Sequence, residues 1–389
     1  MEKDSQYNSY IPILLFLFAA LVWRTSYYIY SLYVAIPVII TYCFYNYKEE
    51  IIHSKYFVPY LFVILWMFLS SFVNENTRQS FSMMIPILAS FLFSMATYSM
   101  AYVNKYAYIL FLTYVVLFAY MMVQNIGADS FTMNFDYANE IERGENSQQN
   151  ANVYAYYSLF AIIGWRMFLL SLKNNIKPLF LSFFYLLSLI VVVFVALMTA
   201  SRQVMALEIP LLLYFFYFDF VREKENKVIL LLIIVVIIAI SPYILDMYGN
   251  SYLATRSEVG FQDDGRSNLI KKAIEQGFDN PLYGIGLSAN TSYSHCTYTH
   301  ILSRTGFPAF VVFLYMILDS IIVQWRRFRE TKDVIFLYYL GGLSIIGIGH
   351  FTYSYIQEPF MMAIMFAVVG LSDNMYSRDF EESIYDYEN

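Results

Sequence analysis

The stretch KVILLLIIVVIIAISPYILD, residues 227–246, carries its only charges at its two ends, Lys227 and Asp246. A helix crossing the ~30 Å hydrocarbon core of a bilayer needs about 20 apolar residues, because each residue rises only about 1.5 Å. This stretch meets that length. Reading outward from it in both directions finds further runs at 9–24, 26–46, 56–73, 80–103, 106–124, 152–171, 178–199, 203–221, 298–325, 334–354 and 358–373. Arg24-Thr25-Ser26 alone separates the first two, so they form a tight helical hairpin or one of them falls short of a full span. The expected fold is therefore an all-α polytopic membrane protein of about 12 transmembrane helices, a single integral membrane domain over 1–389.

Composition agrees. Hydrophobic residues make up 59% of the chain and charged residues only 14%, whereas soluble domains carry roughly 25% charged residues. Aromatics reach 20%, which suits extensive surface at a lipid–water boundary. A soluble enzyme, a nucleic-acid-binding domain and a secreted disulfide scaffold are excluded. The net charge of −6 points to no polyanion partner, and Cys43 and Cys296 make no disulfide framework. Lys3 precedes the first apolar run, but no small-residue cleavage site follows it, so the first span is expected to stay as an anchor.

Orientation follows the positive-inside rule. An N-terminus in the cytoplasm puts 15 of the 24 basic residues on the cytoplasmic side and 8 outside, with Arg304 inside a span. Both termini are thus expected in the cytoplasm. Three outer segments are more than turns: 125–151, acidic and Asn-rich; the pair Ser201-Arg202; and 247–297, a large extracytoplasmic loop. In that loop Leu269, Ile270, Ala273, Ile274 and Phe278 repeat at helical spacing, which predicts a short amphipathic helix opened by Arg266. Gly277 is its expected stop, and Pro281 prevents continuation.

Several polar residues have two readings. Arg202 is either an interfacial anchor snorkelling to headgroups or an anion-binding guanidinium at the membrane surface. Arg266 is either a solvated surface charge or part of an anion site at a helix N-terminus. His295 and His300 straddle the start of the span at 298–325, and a histidine there is either structural or catalytic. Glu208 is an intramembrane carboxylate and so a site candidate, with Pro210 expected to bend its helix. His350 and Glu358 face each other across a short outer turn and are an expected structural pair. No Cys/His cluster has zinc spacing and no Gly-rich phosphate loop follows a strand, so neither metal nor nucleotide cofactor is expected.

Four stretches together resemble the O-antigen ligase and Wzy-type polymerase superfamily. They are Thr199-Ala200-Ser201-Arg202; Arg266 with its helix running to Asn280-Pro281-Leu282-Tyr283-Gly284-Ile285-Gly286; His295-Cys296-Thr297-Tyr298 continuing to Leu302 and Gly306-Phe307-Pro308-Ala309; and Asn150-Ala151-Asn152. The resemblance covers 150–325 best. The chain departs from the family pattern at Cys296 (Asn), Thr299 (Leu), Arg304 (Glu) and Ala309 (Gly). The resemblance implies a membrane glycosyltransferase of GT-C-like architecture, independent of metal, at the outer face of the bacterial plasma membrane. Its donor and acceptor would be glycans on undecaprenyl diphosphate. It further implies His295 as catalytic base and Arg202 and Arg266 as diphosphate ligands, with Ser201, Tyr298, Gly284, Gly286, Asn152 and Glu208 in support. Membrane lipid and a chain-length regulator are expected partners, and nucleic acid is not.

The leading expectation is a polysaccharide polymerase, and the runner-up is a ligase moving finished glycan to lipid A core or another acceptor. A flippase for lipid-linked sugars belongs to a different class. Transporters tend to place polar residues near the bilayer midplane, often on an internal repeat, whereas here they cluster outside and no repeat is visible. The topology is open to a direct check. In a Cys-free background, Lys271→Cys is expected to react with an impermeant thiol reagent in intact or outer-permeabilised cells, and Arg327→Cys is expected not to react. The opposite labelling pattern would overturn the orientation.

Overall fold

The computed structural model describes residues 10–23, 25, 27–74, 77–126, 151–171, 178–199, 202–222, 227–249, 266–287, 296–352, 356 and 358–388. In chain order the helices are α1 (Ile11–Trp23), α2 (Tyr28–Asn46), α3 (Lys48–His53), α4 (Phe57–Val73), α5 (Thr77–Val103), α6 (Ala107–Ile126) and α7 (Ala151–Ser171). They continue as α8 (Pro178–Thr199), α9 (Arg202–Phe216), α10 (Lys227–Gly249), α11 (Arg266–Asp279), α12 (Thr297–Thr331), α13 (Ile335–Gly349) and α14 (Pro359–Glu388). No strand occurs among the described residues.

Five helical stretches are long and apolar enough to cross a membrane: Tyr28–Asn46, Met83–Val103, Val153–Ser171, Thr297–Thr331 and Pro359–Ser377. The other expected runs are helical too, mostly as shorter apolar helices. The surface supports the membrane reading. Phe180, Phe183, Leu187 and Ile190 of α8 are all exposed, as are Val311, Tyr315, Leu318, Ile322 and Trp325 of α12. Each set repeats every three or four residues, so each is one continuous apolar face. Contiguous exposed apolar surface on this scale belongs in lipid. The protein is an all-α integral membrane protein.

Proline explains one local departure from regular helix. In α2 a π-helical turn, Ser31–Ala35, precedes Pro37. The Pro37 ring would crowd the carbonyl four residues back, at Tyr33, and a wider turn relieves it. The hairpin of α1 and α2 is closed by Thr25, whose hydroxyl donates to Val22 O at 2.8 Å and accepts from Tyr27 N at 3.0 Å. Ser31 Oγ then donates to Ala19 O across the pair. Arg24 and Ser26 lie outside the described residues.

The chain divides into two units, Met1–Leu110 with Asp264–Asn389, and Phe111–Asp263. In the first, α14 packs along α5, and a Cβ at Gly370 would stand 2.4 Å from Tyr98 O, so the backbones touch there. Arg327 of α12 binds α14 through Asp373 at 2.6 Å and Ser372 Oγ at 2.7 Å, and Tyr98 of α5 donates to the same Asp373. In the second unit α7, α8 and α9 pack against one another. A π-helical turn, Tyr217–Arg222, continues α9 and carries Asp219. Asp219 binds Arg166 of α7 and accepts from Tyr185 of α8.

Both side chains of the Arg166–Asp219 pair are at most 5% exposed. Removing one partner leaves the other charge buried and uncompensated, which typically costs about 3–5 kcal/mol, whereas replacing both by apolar groups is often neutral. Arg166→Met and Asp219→Leu are each expected to lower thermal stability in detergent markedly. The double variant is expected to recover most of the loss. A strictly additive double variant would show that the two side chains do not act as a pair.

Candidate functional site

The strongest architecture among the expected site residues lies in the first unit, where α12 is broken. Gly306 has φ 75° and ψ −170°, outside helical space, and Pro308 follows. Pro308 has no N–H, so the carbonyl of Arg304, four residues back, has no helical donor. The N–H of Phe307 turns away and donates to Pro281 O at 2.8 Å, which leaves the carbonyl of Ser303 without its helical donor as well. Inside a membrane protein such orphans must find partners.

The 280–287 turn supplies them. Ile285 N donates to Ser303 O at 2.9 Å, and Gly286 N donates to Arg304 O at 3.0 Å. Ser70 Oγ of α4 donates to Arg304 O at 2.7 Å. The turn thus takes the place of the missing helical bonds. Its own carbonyls face α4: Trp66 Nε1 donates to Leu282 O at 3.0 Å, Asn74 Nδ2 donates to Gly284 O at 3.3 Å, and Tyr283 O shares the single hydroxyl proton of Ser70 with Arg304 O. Trp66, Ser70 and Asn74 are four residues apart and share one helix face.

Glycine is required where the two strands of backbone meet. Gly284 has φ 59°, and a Cβ there would lie 2.4 Å from the Arg304 carbonyl carbon. Gly286, at φ 80°, sits against Asn74. A Cβ on Gly306 would lie 2.5 Å from Pro281 O. Arg304, a residue where the chain departs from the family pattern, closes the arrangement. Its side chain is buried, and its guanidinium Nη1 reaches Gly286 O at 3.2 Å and Leu287 O at 3.4 Å.

Helix α11 leads into this turn. It runs two residues past the stop expected at Gly277, to Asp279. Gly277 serves packing instead, since a Cβ there would overlap the Leu302 side chain of α12 at 2.5 Å. The expected apolar stripe divides: Ala273 is buried, whereas Ile274 and Phe278 stay exposed.

The start of α12 is fixed from α13. Thr297 N donates to His350 O at 2.8 Å, and Thr297 Oγ1 bonds His350 Nδ1 at 3.0 Å. Tyr298 OH donates to Gly347 O at 2.8 Å. Tyr298, named as supporting, is therefore an anchor of α12 on α13. Cys296 stands at the N-cap, where an Asn would ordinarily cap, and its side chain makes no capping bond. The pairing expected between His350 and Glu358 gives way to bonds with other residues, His350 with Thr297 and Glu358 with Trp23 Nε1 at 3.1 Å.

His295 and Ser201 lie outside the described residues, as does most of the 125–151 loop, and so do the side chains of Arg202, Arg266 and Asn152. Arg202 and Arg266 are the first residues of α9 and α11, in the second and first unit respectively. Glu208 of α9 is buried and hydrogen-bonded to Ser158 Oγ of α7, the helix whose second residue is Asn152. The sequence reading passed over Trp66, Ser70 and Asn74, and noted Arg304 only as a charge inside a span and a departure from the family pattern. The signal of Trp66, Ser70 and Asn74 was present as hydrogen-bonding groups spaced by four along and just past the apolar run 56–73.

Residues 187–314 match the family model described as O-Antigen ligase. The match supports the superfamily resemblance read from the four stretches, as a similarity over that segment. The matched segment contains Arg202, Glu208, Arg266, the 280–287 turn, His295 and the Gly306 break. No curated protein matches the chain.

The role of Gly284 can be tested by stability. Alanine there would need a left-handed backbone, at about 1–2 kcal/mol, and would also press on α12. Gly284→Ala is expected to lower the unfolding temperature in detergent. Gly249→Ala, with nothing within 4 Å, is expected to leave it unchanged. Equal stability of the two variants would contradict the close approach.

Proposed function

We propose that the protein is a polysaccharide polymerase of the bacterial plasma membrane. It moves a growing glycan from undecaprenyl diphosphate onto the next lipid-linked repeat unit, at the outer face, with both termini in the cytoplasm. The observation that carries this reading is the O-antigen ligase match, which holds Arg202, Arg266 and His295 within one segment.

The chemistry needs three things. An acceptor sugar hydroxyl must lose its proton, and an imidazole, with its ordinary pKa near 6.5, suits that task. We assign it to His295. The hydroxyl oxygen attacks the anomeric carbon while the bond from that carbon to the diphosphate oxygen breaks, so the configuration inverts. The departing undecaprenyl diphosphate gains charge, and guanidinium groups stabilise it by bidentate bonding. We assign that role to Arg202 and Arg266. Each opens a helix, where unpaired backbone N–H groups add to the attraction for an anion. These roles are filled by the chain's own side chains. The turn bonded across the Gly306 break supports the reading by giving the segment before residue 288 a rigid seat on α12.

A second reading is a ligase, favoured by the description of the matched family. The departures at Cys296, Thr299, Arg304 and Ala309 from that pattern are our reason for preferring the polymerase.

Purified protein with synthetic lipid-linked repeat units is expected to produce a ladder of products, whereas a ligase would leave single units unextended. In that assay His295→Ala is expected to lower turnover between about a hundredfold and ten-thousandfold, the usual worth of a positioned acid–base group. Arg202→Lys and Arg266→Lys keep charge but lose the planar fork, and both are expected to be strongly impaired in turnover. Full activity in both lysine variants would reject the diphosphate clamp.

A further inference from the structure

Glu208 is 0% exposed, on α9 of a membrane protein. Among the described residues its carboxyl has one hydrogen-bond partner, Ser158 Oγ of α7 at 2.5 Å, and its second oxygen, Oε2, has none. Ser158 Oγ also lies in bonding geometry 2.8 Å from Ala155 O. A serine hydroxyl has one proton to give, and a backbone carbonyl has none. If that proton goes to Ala155 O, the Ser158–Glu208 bond must be made by a proton from Glu208. One arrangement then makes both contacts hydrogen bonds: Glu208 donates to Ser158, and Ser158 donates to Ala155 O. The alternative, an ionised carboxylate, would sit fully buried with one neutral donor and one bare oxygen, and an uncompensated charge in that setting is strongly disfavoured.

The bond also has a place in the site. Ser158 lies six residues after Asn152, and Glu208 lies six residues after Arg202. A second tie between the same helices, Arg166 to Asp219, falls further along both, so α7 and α9 run parallel. Six residues correspond to about 9 Å of helix. The Ser158–Glu208 bond therefore sets the starts of the two motif-bearing helices level with each other, and sliding one along the other would break it.

We propose that Glu208 is a positioning residue that works as an uncharged hydrogen-bond donor, holding α9 in register on α7 and so fixing the depth of Arg202. The part concerning Arg202 rests on its reading as a diphosphate ligand. The protonation and register parts stand apart from that reading.

The test uses the full chain in lipid nanodiscs. The infrared difference spectrum of the wild type against Glu208→Gln, taken at neutral pH, is expected to show a protonated-carboxyl C=O band that the variant lacks. Absence of that band overturns the proposal whatever reaction the protein catalyses. The glutamine amide keeps a donor, so Glu208→Gln is expected to retain most of the turnover that Glu208→Leu loses. Glu208→Leu and Ser158→Ala are each expected to lose about tenfold, the worth of one lost positioning bond. Their combination is expected to lose little more than either alone, since both remove the same bond. If Glu208→Leu fails to fold, Ser158→Ala carries the comparison. A Gln variant as inactive as the Leu variant would mean that Glu208 acts as an ionised group, which sinks the proposal. If the wild type yields no ladder, the transfer reading fails, and the infrared band together with non-additive thermal shifts of the two variants still decides the state and register of Glu208.

Discussion

A backbone carbonyl that loses its helical donor inside a bilayer must be bonded by something else, and the first unit is arranged around two such carbonyls. The break at Gly306 and the missing N–H of Pro308 release Ser303 O and Arg304 O. Two consecutive amides, Ile285 and Gly286, take them up, and Ser70 adds a third bond. Each bond also anchors the turn that follows α11. The helix break and the turn are therefore one feature, each supplying the hydrogen-bond partners that the other lacks. Arg304 completes it by donating to the last carbonyls of the turn, so a guanidinium stands as a structural cation where the family pattern has a carboxylate.

The second unit meets the same constraint with side chains. Arg166, Asp219 and Tyr185 bond one another at one level of the α7–α8–α9 group, and Ser158 bonds Glu208 at another. Such ties contribute little net stability, because desolvating the polar groups costs about as much as pairing them returns. Their effect is selective. Apolar helix faces slide and rotate against one another with small changes in packing energy, whereas a buried polar pair is either made or lost. Two pairs at different depths leave the parallel helices one mutual register.

The proposed function draws on both devices. The residues assigned to chemistry stand at helix starts or beside them: Arg202 opens α9, Arg266 opens α11, and His295 precedes α12. Such positions are held only as well as the helices behind them. The bonds from Thr297 and Tyr298 to α13, the turn seated on the Gly306 break and the Ser158–Glu208 tie each hold one of those helices.

Much of this was legible in the sequence. The membrane class follows from the lengths of apolar runs, a one-dimensional property that needs no knowledge of packing. The superfamily was readable because Arg202, Arg266, His295, Gly284-Ile285-Gly286 and Gly306-Phe307-Pro308 stand in order along the chain. Even the orphan carbonyl of Arg304 could be foreseen from Pro308. What receives it could not. Gly286 lies 18 residues away and Ser70 234 residues away, and Glu208 meets Ser158 over a separation of 50. Helical period says which residues share a face, but not how far a helix is rotated or how deep it sits beside its neighbour. Those two quantities decide which buried polar groups meet, and they are settled only when all the helices pack at once.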